Sequence, residues 1–269
     1  MKFVSLFSGI GGLDEGLENV GMVCVAQVEN AEFPLRILKI LWPDIPRFGD
    51  VRKVNGYQLP QANGVVAGFP CPKFSSAGKR GGFEEDNLFY EIIRIANEIK
   101  SDWIIIENVE GFTHSTKPWR EIAIGALKDI GYDIIDFILD ARDFGVPQSR
   151  RRWFAVCIRR GIMSSPQHIW GVQGEEGKDI QGLCAYSSYP KGRWTSTIGS
   201  KEEWRTILAN SRRVQVDNGI PPKISRGFKA AYGNAVPPIM AEFVGRIVMK
   251  ATKERLAQLL STEESRNED

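Results

Sequence analysis

Histidine is nearly missing from this 269-residue chain, which holds only His114 and His168. Its four cysteines, Cys24, Cys71, Cys157 and Cys184, stand far apart and form no Cys-x-x-Cys pair. These shortages leave no ligand set for a catalytic or structural metal and no disulfide framework, so chemistry without a metal is expected. No apolar run approaches the ~18 residues of a membrane span, and no basic-then-apolar leader opens the chain. The expectation is a soluble, cytoplasmic protein with no membrane partner. Charge of one sign is also scarce. The formal net charge of +2 is too small to announce a polyanion partner by itself.

What is present is a sufficient apolar fraction, 42%, to bury the core of one large domain, with or without a small insert. Arginines bunch locally at Arg150, Arg151 and Arg152, at Arg159 and Arg160, and at Arg212 and Arg213. Carboxylates concentrate in the first half and the tail, which leaves a basic middle. Short runs rich in β-branched residues at 3–7, 22–28, 64–68, 103–106, 134–139 and 153–158 predict buried strands. Helical spacing lies between them at 33–41, 87–99 and 119–130, the last stopping at Gly131. This alternation predicts an α/β fold with a doubly wound, mostly parallel sheet. After about residue 160 the periodicity weakens. Trp170, Trp194 and Trp204 sit there among basic residues and fit either a compact core or nucleic-acid contacts. From Pro237 a helical pattern through Ile239, Phe243, Ile247 and Leu256 resumes, and a polar tail follows.

Chemistry-bearing residues gather in four places. The opening VSLFSGIGGLDEGL sets a glycine-rich turn between a strand and a helix, which lets backbone approach a nucleotide but also serves as a plain tight turn. No lysine follows the glycines as in a phosphate-binding NTPase loop. Glu29 and Asp50-Val51 come at later strand ends, where acidic side chains can accept from ribose hydroxyls and an adenine amine, so a nucleoside-bearing cofactor fits. In GFPCPKFSSAGKR, Cys71 is held between prolines directly after a buried strand, with Lys73, Lys79 and Arg80 nearby to favour thiolate and phosphate. Glu107 ends the next strand at the same sheet edge, a pairing that suits acid-assisted nucleophilic addition to an electron-poor ring. Alone, Glu107 reads equally as a capping or ion-paired carboxylate. In FGVPQSRRRWFAV, alternation aims Arg150 and Arg152 the same way, toward phosphate or a base oxygen, unless the run is a solvated face.

Taken in order, FSGIGG, VEN, GDV, GFPCP, NLF, ENV, QSRRR and GNAVPP resemble the cytosine carbon-5 DNA methyltransferase family. The likeness covers nearly all of 1–160 and 225–250. It implies the S-adenosylmethionine-dependent methyltransferase fold, with a catalytic and cofactor-binding region at 1–160. A small target recognition region at 161–222 and a returning segment at 223–269 complete the implied organisation. It implies S-adenosylmethionine held by Phe7, Gly9, Gly11, Gly12 and Leu13, with Glu29 on the ribose and Asp50 and Val51 on the adenine edge. Pro70 and Leu88 form walls, and Asn234 and Ala235 close the site. Catalysis is implied for Cys71 as the nucleophile at cytosine carbon 6, Glu107 at ring nitrogen 3 and the exocyclic amine, and Arg152 at the carbonyl oxygen, with Arg150 and Gln148 positioning the strand. Ser75, Lys79 and Arg80 fall in the loop 72–86, which is suited to close over an extruded base. The implied partners are double-stranded DNA and a cognate restriction endonuclease, and the implied state is a monomer.

Two departures stand out. Pro72 follows the nucleophile where the family has a polar residue, often glutamine, and the stretch between Arg160 and Lys223 is short for a recognition domain. A short or relaxed recognition sequence is expected. A tRNA cytosine methyltransferase and a catalytically silent DNA-binding homologue remain the alternatives.

Overall fold

A computed structural model describes residues 1–70, 88–114, 118–146, 149–162 and 235–267, with side chains in the last helix as far as Thr252. The sheet has seven strands: β1 (Lys2–Leu6), β2 (Val23–Val28), β3 (Arg47–Phe48), β4 (Gly64–Gly68), β5 (Trp103–Val109), β6 (Tyr132–Asp140) and β7 (Arg151–Arg159). Their order is β3-β2-β1-β4-β5-β7-β6. All neighbouring pairs are parallel except those of β7, which runs antiparallel to both β5 and β6. Strands covered on both faces must be apolar at nearly every position, and Phe3-Val4, Val65-Val66-Ala67 and Trp103 through Ile106 are all buried.

Alternation along each strand divides these side chains between two cores. Phe3, Val66, Ile105 and Val156 face one side, while Val4, Val65, Ile104 and Ala155 face the other. Over the second face lie helices α3 (Leu88–Glu98) and α4 (Trp119–Asp129). Helix α3 buries Phe89, Ile92, Ile95 and Ala96, and α4 buries Trp119, Ala123 and Leu127, the three-and-four spacing of a single apolar stripe. Helix α4 ends as expected, because Gly131 adopts a left-handed φ of 91°. Gly125, inside α4, has open space where a Cβ would stand. Gly125→Ala is therefore expected to stabilise the fold by about 0.5–1 kcal/mol, measured by urea denaturation.

The first face is covered by α1 (Gly12–Glu18) and by α5 (Pro238–Asn267), which returns from the far end of the chain. Ile239 and Ile247 are buried there and Phe243 packs edge-on against Phe144, with ring centroids 5.5 Å apart. The side chain of Leu256 lies outside the described residues. Close approach of the two helices depends on glycine. A Cβ on Gly12 would lie 2.2 Å from the Val236 carbonyl oxygen, and one on Gly16 would lie 2.1 Å from the Pro238 carbonyl oxygen. Helix α2 (Glu32–Leu41) crosses from β2 toward β3. The recognition region expected at 161–222, with Trp170, Trp194 and Trp204, falls outside the described residues beyond the turn at Gly161-Ile162.

Candidate active site

Parallel strands deliver the residues that follow β1, β2, β3 and β4 to one edge of the sheet, their carboxyl end, where an α/β sheet opens a crevice. The reversal of β7 matters here. Because it runs antiparallel, its beginning, and so Arg152, arrives at that same edge beside the end of β5. A cleft of about 750 Å³ opens there. Phe7, Gly9, Gly12, Leu13, Glu29, Asp50, Val51, Pro70, Leu88, Glu107, Arg152 and Ala235, all singled out in the sequence, line it.

On its β1-β2-β3 side the cleft is polar and backbone-rich. Phe7 holds a left-handed φ of 56°, rare for a residue with a side chain, and Gly9 repeats that φ with nothing closer than 3.9 Å to a Cβ built on it. Glu29 ties this turn in place. Its Oε2 accepts from the Gly9 N–H at 2.9 Å and its Oε1 from the Ala31 N–H at 2.7 Å. Each oxygen keeps further acceptor capacity toward a hydroxyl. Asp50 caps the short turn Val51–Lys53 through the Arg52 N–H and receives the Arg52 guanidinium as well. Those bonds hold its carboxyl below the usual carboxylate range. Gly11 is not part of the lining; with φ 87° it lies against Trp42, whose ring a Cβ would meet at 2.3 Å. Trp42 in turn donates its indole N–H to Glu18 at 2.8 Å.

The other side carries charge in a dry setting. Glu107 lies opposite Phe154 and Arg152 opposite Val109 in the β5-β7 ladder, a diagonal that sets both on one face. Glu107 Oε1 is 2.9 Å from Arg152 Nε, with both side chains about nine-tenths buried. That N–H is not aimed at the oxygen, so the contact is one of charge without a hydrogen bond. Burial pushes the Glu107 carboxyl up to about 7, against the downward pull of the Arg152 and Arg150 charges. Gly68, paired with Glu107 across the β4-β5 ladder, makes room for it: a Cβ would lie 3.1 Å from Oε2. Arg150 is set in place by its backbone, whose N–H donates to Asp140 Oδ1 at 3.2 Å while Ser149 donates to Oδ2 at 3.1 Å.

Cys71, Ser75, Lys79, Arg80, Gln148 and Asn234 lie outside the described residues. The chain leading to Cys71 is described as far as Pro70. Asn108 secures it, donating from Nδ2 to the Phe69 carbonyl at 3.2 Å and accepting from the Val109 N–H at 2.8 Å. Asn108→Ala is expected to lower the unfolding free energy by about 1–3 kcal/mol, because a buried carbonyl and N–H both lose their partner; urea denaturation measures it. Cys24 and Cys157 are buried in apolar surroundings that push both thiols up, as inert core cysteines require.

Several cleft residues escaped the sequence reading. Arg52, Asn108 and Val236 each adjoin a residue that it named, so proximity to a motif was the available signal. Outside the cleft, Asp140 and Asp14 are buried carboxylates that left none. Asp14 is buried on the inner face of α1, where it accepts from Ser5 Oγ and Gln27 Nε2, and burial pushes its carboxyl up to about 7.

Residues 1–226 match the family model described as C-5 cytosine-specific DNA methylase. The Type II methyltransferase M.MspI of Moraxella sp is 39% identical over 161 residues, covering 58% of this chain and 38% of the relative. M.HhaI of Haemophilus parahaemolyticus is 33% identical over 165 residues, covering 60% and 50%. The chain thus spans half or less of the length of these curated relatives. Among solved structures, a Spodoptera frugiperda DNMT2 variant superposes with a TM-score of 0.62 at 17% identity, covering 92% of this chain and 99% of that one. A putative DNA modification methyltransferase encoded within an E. coli prophage gives 0.52 at 22% identity, covering 66% and 52%. At these identities the two structures show a shared α/β methyltransferase fold.

Proposed function

Because the chain belongs to the C-5 cytosine-specific DNA methylase family, we propose that it methylates carbon 5 of cytosine in double-stranded DNA, using S-adenosylmethionine and Cys71. The observation that carries this reading is the buried pair Glu107 and Arg152 on the wall of a cleft whose far side offers Glu29 and Asp50. That far side fits the cofactor. Glu29 keeps acceptor capacity for ribose hydroxyls, Asp50 for an adenine amine, and the Val51 N–H, first in its short turn, has no acceptor within that turn. Phe7, Leu13, Pro70 and Leu88 supply apolar walls. The bound cofactor supplies a methyl group on a positively charged sulfur.

The residues then divide the work. Burial raises the Glu107 carboxyl so that it can carry a proton near neutral pH and donate it to ring nitrogen 3, while its other oxygen accepts from the exocyclic amine. Arg152 holds the carbonyl oxygen of the same ring, and its charge stays fixed at every working pH. Electron withdrawal at nitrogen 3 makes carbon 6 electrophilic, so the Cys71 thiolate adds there and carbon 5 becomes nucleophilic. After methyl transfer, loss of the carbon-5 proton and departure of Cys71 restore the ring. These atoms lie inside a base stack, so the cytosine must be extruded first, at a cost of a few kcal/mol that contacts from Arg150, Ser75, Lys79, Arg80 and Gln148 offset. Asn234 and Ala235 close the cofactor side. Action as a monomer, beside a cognate endonuclease, completes the reading.

Tritiated S-adenosylmethionine offered with duplex DNA and with tRNA tests the substrate: label in DNA is expected, and label confined to tRNA overturns the reading. Duplex DNA carrying 5-fluorocytosine should trap a covalent adduct, which Cys71→Ser abolishes. Absence of the adduct in the unaltered protein would mark a silent homologue.

A further inference from the structure

The Asp50-Val51 segment on the cleft wall is held from behind by a charge network on α3. We propose that Arg94 is a positioning residue that sets the cofactor site's preference for adenine over other purines, acting through the backbone of Val51. The inference rests on the proposed function, in which Asp50 and Val51 meet the adenine edge.

The guanidinium of Arg94 has five N–H groups, and every one has an acceptor. Nη2 donates to the Val51 carbonyl at 3.0 Å and to Glu91 Oε2 at 2.6 Å. Nε also donates to Glu91 Oε2, at 2.8 Å, and Nη1 reaches both oxygens of Glu98 at 3.0 Å. The two carboxylates come from the same helix at positions three before and four after, so Arg94 is locked in one rotamer before it touches anything else. Glu98 then extends the clamp by accepting from the Gly56 N–H, and a Cβ on Gly56 would lie 2.6 Å from that of Glu98. The segment from Val51 to Gly56 is therefore docked on α3 at two points, one at each end. Helix α3 begins at Leu88, itself on the cleft wall, so one rigid element carries an apolar wall and fixes the polar edge.

Purines differ at that edge. Adenine presents a donor amine and an acceptor ring nitrogen, and hypoxanthine presents the reverse. A carboxylate and a backbone N–H discriminate between them only while the N–H is held at a fixed distance and direction, since a loose peptide can reorient to suit either. Fixing the Val51 carbonyl fixes the residue whose N–H does the reading. Arg94 touches no cofactor atom in this scheme, and a lysine could reach the carbonyl but could not also fork to both carboxylates.

The test measures binding of S-adenosylhomocysteine and its hypoxanthine counterpart, S-inosylhomocysteine, to the full chain by calorimetry. The unaltered protein should prefer the adenine ligand. Arg94→Met should reduce that preference by about tenfold, a factor typical of one lost charge-assisted hydrogen bond, with Arg94→Lys between. Turnover at saturating cofactor should stay within about twofold while KM for the cofactor rises. Gly56→Ala, which separates the segment from α3 without removing a charge, should reproduce the narrowed preference, and it serves if Arg94→Met fails to fold. An unchanged preference, or an equal loss of affinity for both ligands, overturns the proposal. Binding of neither ligand by the unaltered chain fells the cofactor reading and this inference with it, a result distinct from the other two.

Discussion

Glu107→Gln is expected to lower turnover by about 10²- to 10⁴-fold, the range set by loss of a positioned general acid, while S-adenosylhomocysteine affinity and the fold persist. Glutamine keeps the shape and can still donate from its amide, but it has no proton to share with ring nitrogen 3. The pH dependence gives this prediction its second arm. With the carboxyl pushed up to about 7 by burial, turnover that requires the protonated form should fall about tenfold for each unit above neutrality. The glutamine variant's residual rate should lack that limb. Stopped-time methyl-transfer assays from pH 6 to 9 measure both.

Stability should also fall with rising pH, over a lower range. In the unfolded chain Glu107 titrates near its ordinary value of 4.5, and in the folded chain at about 7. Below 4.5 both states carry the proton and stability is insensitive to this group. Between 4.5 and 7 the unfolded state has released the proton that the folded state retains, so folding loses ground as pH rises, by on the order of 3 kcal/mol once both values are passed. Glutamine removes that slope. Urea denaturation at pH 5 and pH 8 should therefore show a larger decline for the unaltered protein than for Glu107→Gln. Asp14, also raised to about 7, contributes the same decline to both, so the difference between the two proteins isolates Glu107.

The second large effect is expected at Gly16. Helix propensity alone favours alanine there by about 1 kcal/mol, yet a Cβ would stand 2.1 Å from the Pro238 carbonyl oxygen, 2.6 Å from Ala241 Cβ and 2.8 Å from the Glu242 nitrogen. Two of those atoms are backbone, which cannot swing aside. Forcing α1 and α5 apart to admit the methyl group carries the overpacking penalty of about 1–3 kcal/mol beyond the propensity gain. Gly16→Ala should destabilise the protein and weaken S-adenosylhomocysteine binding, because the same helix starts at Gly12 and carries Leu13 on the cleft wall. The contrast with Gly125→Ala, the same substitution in open space, separates packing from propensity. Denaturation of both variants, with calorimetry of the first, checks the pair.

Strands 3–7, 22–28, 64–68, 103–106, 134–139 and 153–158 were legible because a two-sided sheet demands unbroken apolar runs, and the six long strands fall on them. Strand β3 was not, since Arg47–Phe48 is only two residues, hemmed in by Pro43 and Pro46. The doubly wound sheet was legible from alternation, but no local pattern reveals that β7 runs antiparallel. That reversal is what brings Arg152 to Glu107. Cleft residues that follow strands directly could be named from their place after an apolar run. Arg94 could not, because its backbone partner is distant in sequence: it reads as an ordinary charge on an amphipathic helix until Val51 is found against it. Gly11, grouped by sequence with the other glycines of its turn, proves to support that turn from Trp42 instead of facing the cleft.

The contact of Gly12 and Gly16 with the Val236–Glu242 segment also imposes a schedule on biosynthesis. Translation delivers Phe7, Gly9 and Leu13 well before the segment that seals them, so a nascent chain that has not yet reached Val236–Glu242 holds β1 and α1 without their cover. Leu17, fully buried beneath α5 in the finished protein, is bare on such a chain. This part of the cleft thus matures only after Val236–Glu242 is made, and a ribosome-bound intermediate presents an apolar face suited to a chaperone before the cleft is closed.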